Sequence, residues 1–196
     1  MGKEHDNNGV ASAERSGREG FSLIEVTILA LLLLVAIGGL SGAVLSSMRL
    51  SRATEESALA DEAARSLAAR LQITNFADIF RTYNTATVDD LGGAGTAPGA
   101  NFDVRGLAPR HTDADGRVGR IVFPTADLPG GIQVLRESTV DDRMGMLEGV
   151  GRDLNLDGDT LDDLTNTYQV LPARIIVEWT GAGGNRSYEL DLVLTP

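Results

Sequence analysis

Eleven residues towards the C-terminus carry a crowded set of oxygen ligands: Asp153-Leu154-Asn155-Leu156-Asp157-Gly158-Asp159-Thr160-Leu161-Asp162-Asp163. Asp153, Asn155 and Asp157 stand at the 1-3-5 spacing of a calcium loop, and Gly158 falls where such a loop turns sharply. Oxygen donors at alternate positions of a curling loop can converge on one hard cation, and carboxylates this close repel one another without it. The twelfth position is Leu164, not the bidentate Glu of an EF-hand. The expected site is therefore a shortened one, with Ca2+ as the ion and Asp159, Asp162 or Asp163 completing it. The alternative is a solvated, Asx-rich turn that needs no ion. Asp113 and Asp115 are a weaker acidic pair and read as a polar turn.

A second residue with distinctive chemistry is Glu25, the one charge between Phe21 and Leu45. A carboxylate in hydrocarbon costs roughly 3 kcal/mol and so needs a partner; a buried ammonium would serve. Catalysis is not indicated. The chain has no cysteine, which excludes thiol chemistry and Cys-based zinc sites. Outside the first twenty residues His111 is the sole histidine, and beside Arg110 it reads as a surface loop residue. There is no Gly-x-Ser-x-Gly elbow and no phosphate-binding Gly-Lys-Thr loop, and nothing selects a carboxylate pair for hydrolysis. The expectation is a protein that is not an enzyme. A net charge of −11 lacks the Lys and Arg excess that binding to a phosphate backbone requires, so no specific nucleic-acid partner is expected.

These groups must be positioned by the elements around them. Phe21 to Leu45 is an apolar run of about 25 residues, roughly 37 Å of helix, enough to cross a hydrocarbon core of ~30 Å. Residues 1–20 are polar, without the apolar region of a secretory signal, and read as a short cytoplasmic leader. Arg15 and Arg18 favour a cytoplasmic N-terminus. Gly38 and Gly42 form a G-x-x-x-G pair with Gly39 between them, a pattern that lets helices approach closely or merely reflects the small residues common in membrane helices. Ser46 to Gln72 contains no Gly or Pro and continues the helix as an amphipathic segment. Leu59, Ala63, Leu67 and Leu71 recur every four residues with Ala60, Ala64 and Ala68 beside them, one apolar face that should pack on a sheet.

Residues 73–118 read as a variable loop region. Within it Phe76, Ile79, Phe80 and Tyr83 allow one or two helical turns before a Gly/Pro-rich loop at 92–99. Strands are expected at 119–124, 131–137, 168–180 and 186–195. The last two form a hairpin in which Ile175, Val177 and Trp179 share a face, as do Tyr188, Leu190, Leu192 and Leu194. Trp179 reads as a core residue; an exposed adhesive aromatic is the other possibility. Without cysteine the chain has no disulfide, so its stability rests on this core.

Gly20-Phe21-Ser22-Leu23-Ile24-Glu25-Val26, followed by the apolar run, resembles the prepilin peptidase site of type IV pilins and type II secretion pseudopilins. Ala60 to Leu71, and the stretch from Arg174 through Trp179 into the final strand, are similar to PilV-type minor pilins and to the type II secretion pseudopilin I. The resemblance covers both ends and about half the chain. It implies cleavage between Gly20 and Phe21, N-methylation of Phe21, and a Glu25 that neutralises the N-terminal amine of a neighbouring subunit. The implied fold is α+β and pilin-like: a long N-terminal helix, membrane-spanning over 21–45 and amphipathic over 46–72, packed on a small antiparallel sheet within 119–196. The implied function is a structural subunit, a minor pilin of a type IV pilus. Its partners would be other pilin subunits, prepilin peptidase and the bacterial inner membrane, crossed once with the C-terminal domain outside the cytoplasm. Three alternatives stand beside it: a minor pseudopilin, a pilin-like binding module with a calcium-ordered loop, and an unrelated single-pass protein.

Overall fold

The structure, a computed structural model, describes residues 20–196. The leader expected over 1–20 therefore lies, up to residue 19, outside the described residues. The chain divides into two compact units, Met1–Leu45 and Ser46–Pro196.

In the first unit the backbone turns helical at Leu23, the start of α1 (Leu23–Ile73). The Ser22 carbonyl accepts the first helical hydrogen bonds, from the amides of Glu25 at 2.9 Å and Val26 at 3.1 Å. Glu25 thus sits in the first turn, where a carboxylate interacts favourably with the positive end of the helix. The apolar side chains from Phe21 to Leu50 are exposed all round, and the helix is long and apolar enough to cross a membrane. Two hydroxyls in its apolar part bond back to the helix: Thr27 donates to the Ile24 carbonyl and Ser41 to the Ile37 carbonyl, each at 2.8 Å. In lipid no water would do this for them. The helix runs unbroken through Gly38, Gly39 and Gly42.

In the second unit α1 turns one face inward. Ala53, Ala60, Ala64, Leu67, Ala68 and Leu71 are buried. The seam lies one residue round from the expected stripe, so Leu59 and Ala63 only flank the core. A short helix α2 (Phe76–Tyr83) follows, capped by the Asn75 side chain, which accepts from the Ala77 amide at 3.3 Å. Tyr168 latches it: its hydroxyl donates to the Phe76 carbonyl at 2.7 Å and accepts from the Phe80 amide at 3.3 Å.

Among the described residues there are seven strands: β1 (Asn101–Phe102), β2 (Gly119–Val122), β3 (Thr125–Leu128), β4 (Ile132–Arg136), β5 (Asp163–Leu164), β6 (Leu171–Gly181) and β7 (Gly184–Leu194). They form two antiparallel sheets, β1-β2-β6-β7 and β3-β4-β5, where the sequence suggested one. The arrangement is α+β, a long N-terminal helix packed on small antiparallel sheets. β6 and β7 pair over their full length, from Leu171 opposite Leu194 to Gly181 opposite Gly184. Alternation turns Leu171, Ala173, Ile175, Val177 and Trp179 towards the buried face of α1, where burial of each Leu, Ile or Val contributes about 1.5–3 kcal/mol. Trp179 is a core residue, 2% exposed.

Candidate metal centre

The acidic stretch does not curl around its own first three ligands. It wraps around Glu137, the residue that follows β4 and is fully buried. One Glu137 carboxylate oxygen accepts from the amides of Leu154 at 2.7 Å and Asn155 at 3.3 Å, and the other from Asp162 at 3.2 Å. The Glu137 backbone adds two more ties, donating to the Asp162 carbonyl at 3.2 Å and accepting from the Arg152 amide at 2.9 Å. A buried carboxylate is tolerated because charge-assisted bonds to backbone N–H groups replace its water. The turn at Gly151 has φ +66, and a Cβ there would lie 2.6 Å from the Glu137 carbonyl oxygen. Only glycine fits.

This winding brings the carboxylates of Glu137, Asp159 and Asp162 within 4.8 Å of one another, a trio that could hold a metal ion. Of the residues expected as ligands, Asp159 and Asp162 belong to it. Asn155 is beside it, donating from Nδ2 to Asp157 at 2.9 Å and to Asp162 at 3.2 Å. Asp153 instead caps the turn, accepting from the amides of Leu156 at 2.5 Å and Gly158 at 2.9 Å. Leu156, between Asn155 and Asp157, has φ +63 and is the one non-glycine residue with positive φ among those described. Asp157 accepts from the Asp159 amide at 3.1 Å. Asp163 lies in β5 and faces Arg136 across the sheet in a bidentate pair at 2.8 and 2.7 Å.

The charges respond to these surroundings. Burial holds the Asp162 carboxyl above the usual carboxylate range, with repulsion from Asp159 and Asp157 adding to it. The Asp159 amide, then the Asn155 side chain, hold Asp157 below that range, and Arg136 does the same for Asp163. A cation bound beside Asp162 would favour its ionised form and so oppose that upward shift. Glu137 carried no local sign of this role, because its partners lie 17 to 25 residues further on.

The other expected functional residues sit at the start of α1. Gly20 and Phe21 lie just before it, separated from its first residue by Ser22, and are exposed, as is Glu25 in its first turn. His111 is exposed in a loop. No protein-family model, curated protein or solved structure matches the chain.

Proposed function

We propose that the chain is a minor pilin-like structural subunit of a type IV pilus, released by prepilin peptidase between Gly20 and Phe21 and held in the bacterial inner membrane by α1 before assembly. The observation that carries the reading is the order of features at the start of α1. A polar segment ends at Gly20, Phe21 follows, Glu25 lies in the first helical turn, and the helix beyond exposes apolar side chains on every side. A simple anchor has no use for that carboxylate. A filament subunit does, because a neighbour's N-terminal ammonium can pair with it in a desolvated helix bundle. A minor pseudopilin of a type II secretion system would use the same features. The test is the N-terminal mass of the protein isolated from membranes, with and without a prepilin peptidase. A chain that starts at methylated Phe21 only with the peptidase is expected; an intact Met1 terminus under both conditions overturns the reading.

The acidic trio supports a second role, a Ca2+ site that orders the 153–163 loop. Its support is the convergence of Glu137, Asp159 and Asp162. Millimolar Ca2+ should raise the melting temperature of the protein, and an unchanged melting temperature would remove calcium from the account.

A further inference from the structure

β7 is the outer strand of the four-stranded sheet, and its far side is an open edge. Its ladder with β6 runs unbroken from Gly184 to Leu194, with no bulge and no proline in β7. The direction of its unpaired groups follows from β6. The Glu178 and Thr180 amides donate to the Val118 and Ala108 carbonyls, away from β7. By alternation Val177 and Trp179 bond to Tyr188 and Arg186, so the amides and carbonyls of Asn185, Ser187, Glu189, Asp191 and Val193 point outward. None of them bonds to another element among the described residues. Edge strands are commonly guarded by free charges. Here the charged side chains of β7 are engaged: Arg186 with the Ala53 carbonyl at 3.0 Å, Glu189 with Arg143, and Asp191 with Arg174 at 2.6 Å.

The edge is complementary to a second copy of itself. Two β7 strands set antiparallel about a two-fold axis at Tyr188 place Ser187 opposite Glu189 and Asn185 opposite Asp191. Each carboxylate then meets a neutral donor, and about eight backbone hydrogen bonds form. The Asn185 side chain uses its oxygen, accepting from Thr180 at 3.1 Å, which leaves its Nδ2 to donate. Other registers fit less well. An axis at Glu189 sets that residue against itself, and one at Leu190 sets it against Asp191; like charges directly opposed are destabilising. An axis at Ser187 draws Gly183, which has φ +114, out of the hairpin turn and into the ladder. On the inward face Tyr188, Leu190 and Leu192 are only half-buried beside α1, and a neighbouring strand would cover them further. α1 covers the inward side chains of β6 fully. The two β6 strands would stand about 14 Å apart at ~4.8 Å per strand, wider than the roughly 8–10 Å between packed helices, so the two copies of α1 clear each other.

We propose that the free edge of β7 pairs with β7 of a second copy of this chain, joining the two four-stranded sheets into one. The axis is normal to the sheet, so it reverses α1 in one copy relative to the other. That suits copies on two filaments that run in opposite directions; this use, unlike the pairing, rests on the pilus reading. Sedimentation velocity of the full chain in detergent micelles, over a range of concentrations, tests the pairing. A monomer–dimer equilibrium is expected. Ser187→Pro removes an amide hydrogen that β6 does not use, and should shift the equilibrium at least tenfold towards monomer. Ser187→Glu leaves the backbone intact, sets a carboxylate opposite Glu189 of the second copy, and should act in the same direction without lowering the thermal stability of the monomer. In a chain without cysteine, Asn185→Cys/Asp191→Cys should yield a disulfide-linked dimer, because residues opposed in a hydrogen-bonded pair stand about 5.5 Å apart at Cα. A monomer at every concentration overturns the inference. So does a dimer that both Ser187 substitutions leave unchanged, which would place the contact on another surface, such as the apolar part of α1. A dimer that Ser187→Glu disrupts but that forms no disulfide overturns the register. Processing at Gly20 is read separately by the N-terminal mass, so failure of the pilus reading leaves this result standing.

Discussion

Asp162 is the residue whose surroundings most plainly oppose its charge. Burial and the neighbouring Asp159 and Asp157 raise its pKa, so its ionised form weakens the fold at neutral pH. That penalty eases as pH falls through the raised folded value and is gone below the unfolded one. Asp157 and Asp163 act in the opposite sense: their depressed values add stability above the unfolded pKa, lost only as pH falls through the folded one. In the absence of divalent ions, Asp162→Asn should therefore raise the melting temperature slightly at neutral pH and do nothing at a pH where Asp162 is already protonated. The same substitution should abolish any Ca2+-dependent rise that comes from the trio. Thermal unfolding at neutral and mildly acid pH, with and without Ca2+, checks both; a fall in melting temperature without Ca2+ would mean that the Asp162 carboxylate supports the loop. The acidic stretch was legible as a ligand-rich loop, because its composition is local. The position of Glu137 in the middle of it was not, because a residue at the end of β4 meets Leu154, Asn155 and Asp162 only through the tertiary fold.

Among the elements, the contact between α1 and the β6–β7 hairpin hangs on Glu56. Its carboxylate accepts from Trp179 Nε1 at 3.3 Å and from the Ala182 amide at 3.1 and 3.2 Å. Arg186 answers from the hairpin, donating to the Ala53 carbonyl at 3.0 Å, and Tyr188 donates to Asp61 at 2.5 Å. Gly181 leaves the room: a Cβ there would run into the Glu56 carboxylate. Glu56→Ala strands an indole N–H and a backbone N–H at a packed junction, and should cost about 1–3 kcal/mol. For a chain of this size that lowers the melting temperature by about 2–4 °C per kcal/mol. Glu56→Gln keeps an acceptor and should lose less. Urea or thermal unfolding of the three proteins orders them, and a neutral Glu56→Ala would show that apolar packing alone holds the hairpin. The hairpin was legible because eleven-residue strands alternate for long enough to show which face is buried. β1, β3 and β5 were not: two to four residues cannot display a period, and their pairing is set by partners far along the chain. β5 is the clearest case. Asp163 looked like a metal ligand among aspartates, yet its place in the ladder opposite Arg136 turns it into half of an ion pair.

For the whole molecule, the distribution of burial sets the two units apart. Among the described residues, the buried hydrophobic core is drawn from residues between Ala60 and Leu194. The apolar surface of the first unit is exposed instead, which in water would drive association. A fragment of residues 46–196 should thus keep the fold and lose the need for detergent. The cut falls within α1 and creates a new helix end, whose first four amides would face water and lack intrahelical partners at little cost. Trp179 is a built-in reporter, since it is the one tryptophan of the chain and is buried against Glu56. Its emission should be the same in the fragment and in the detergent-solubilised full chain, and should shift to the red in one cooperative step on heating. The midpoints should agree within a few degrees, by roughly the 2–4 °C that 1 kcal/mol represents in a protein of this length. Vesicle flotation should separate the two, the full chain rising with lipid and the fragment staying behind. A fragment that aggregates, or that unfolds gradually with Trp179 already exposed, would mean that the second unit depends on the apolar helix for its stability as well as for its attachment.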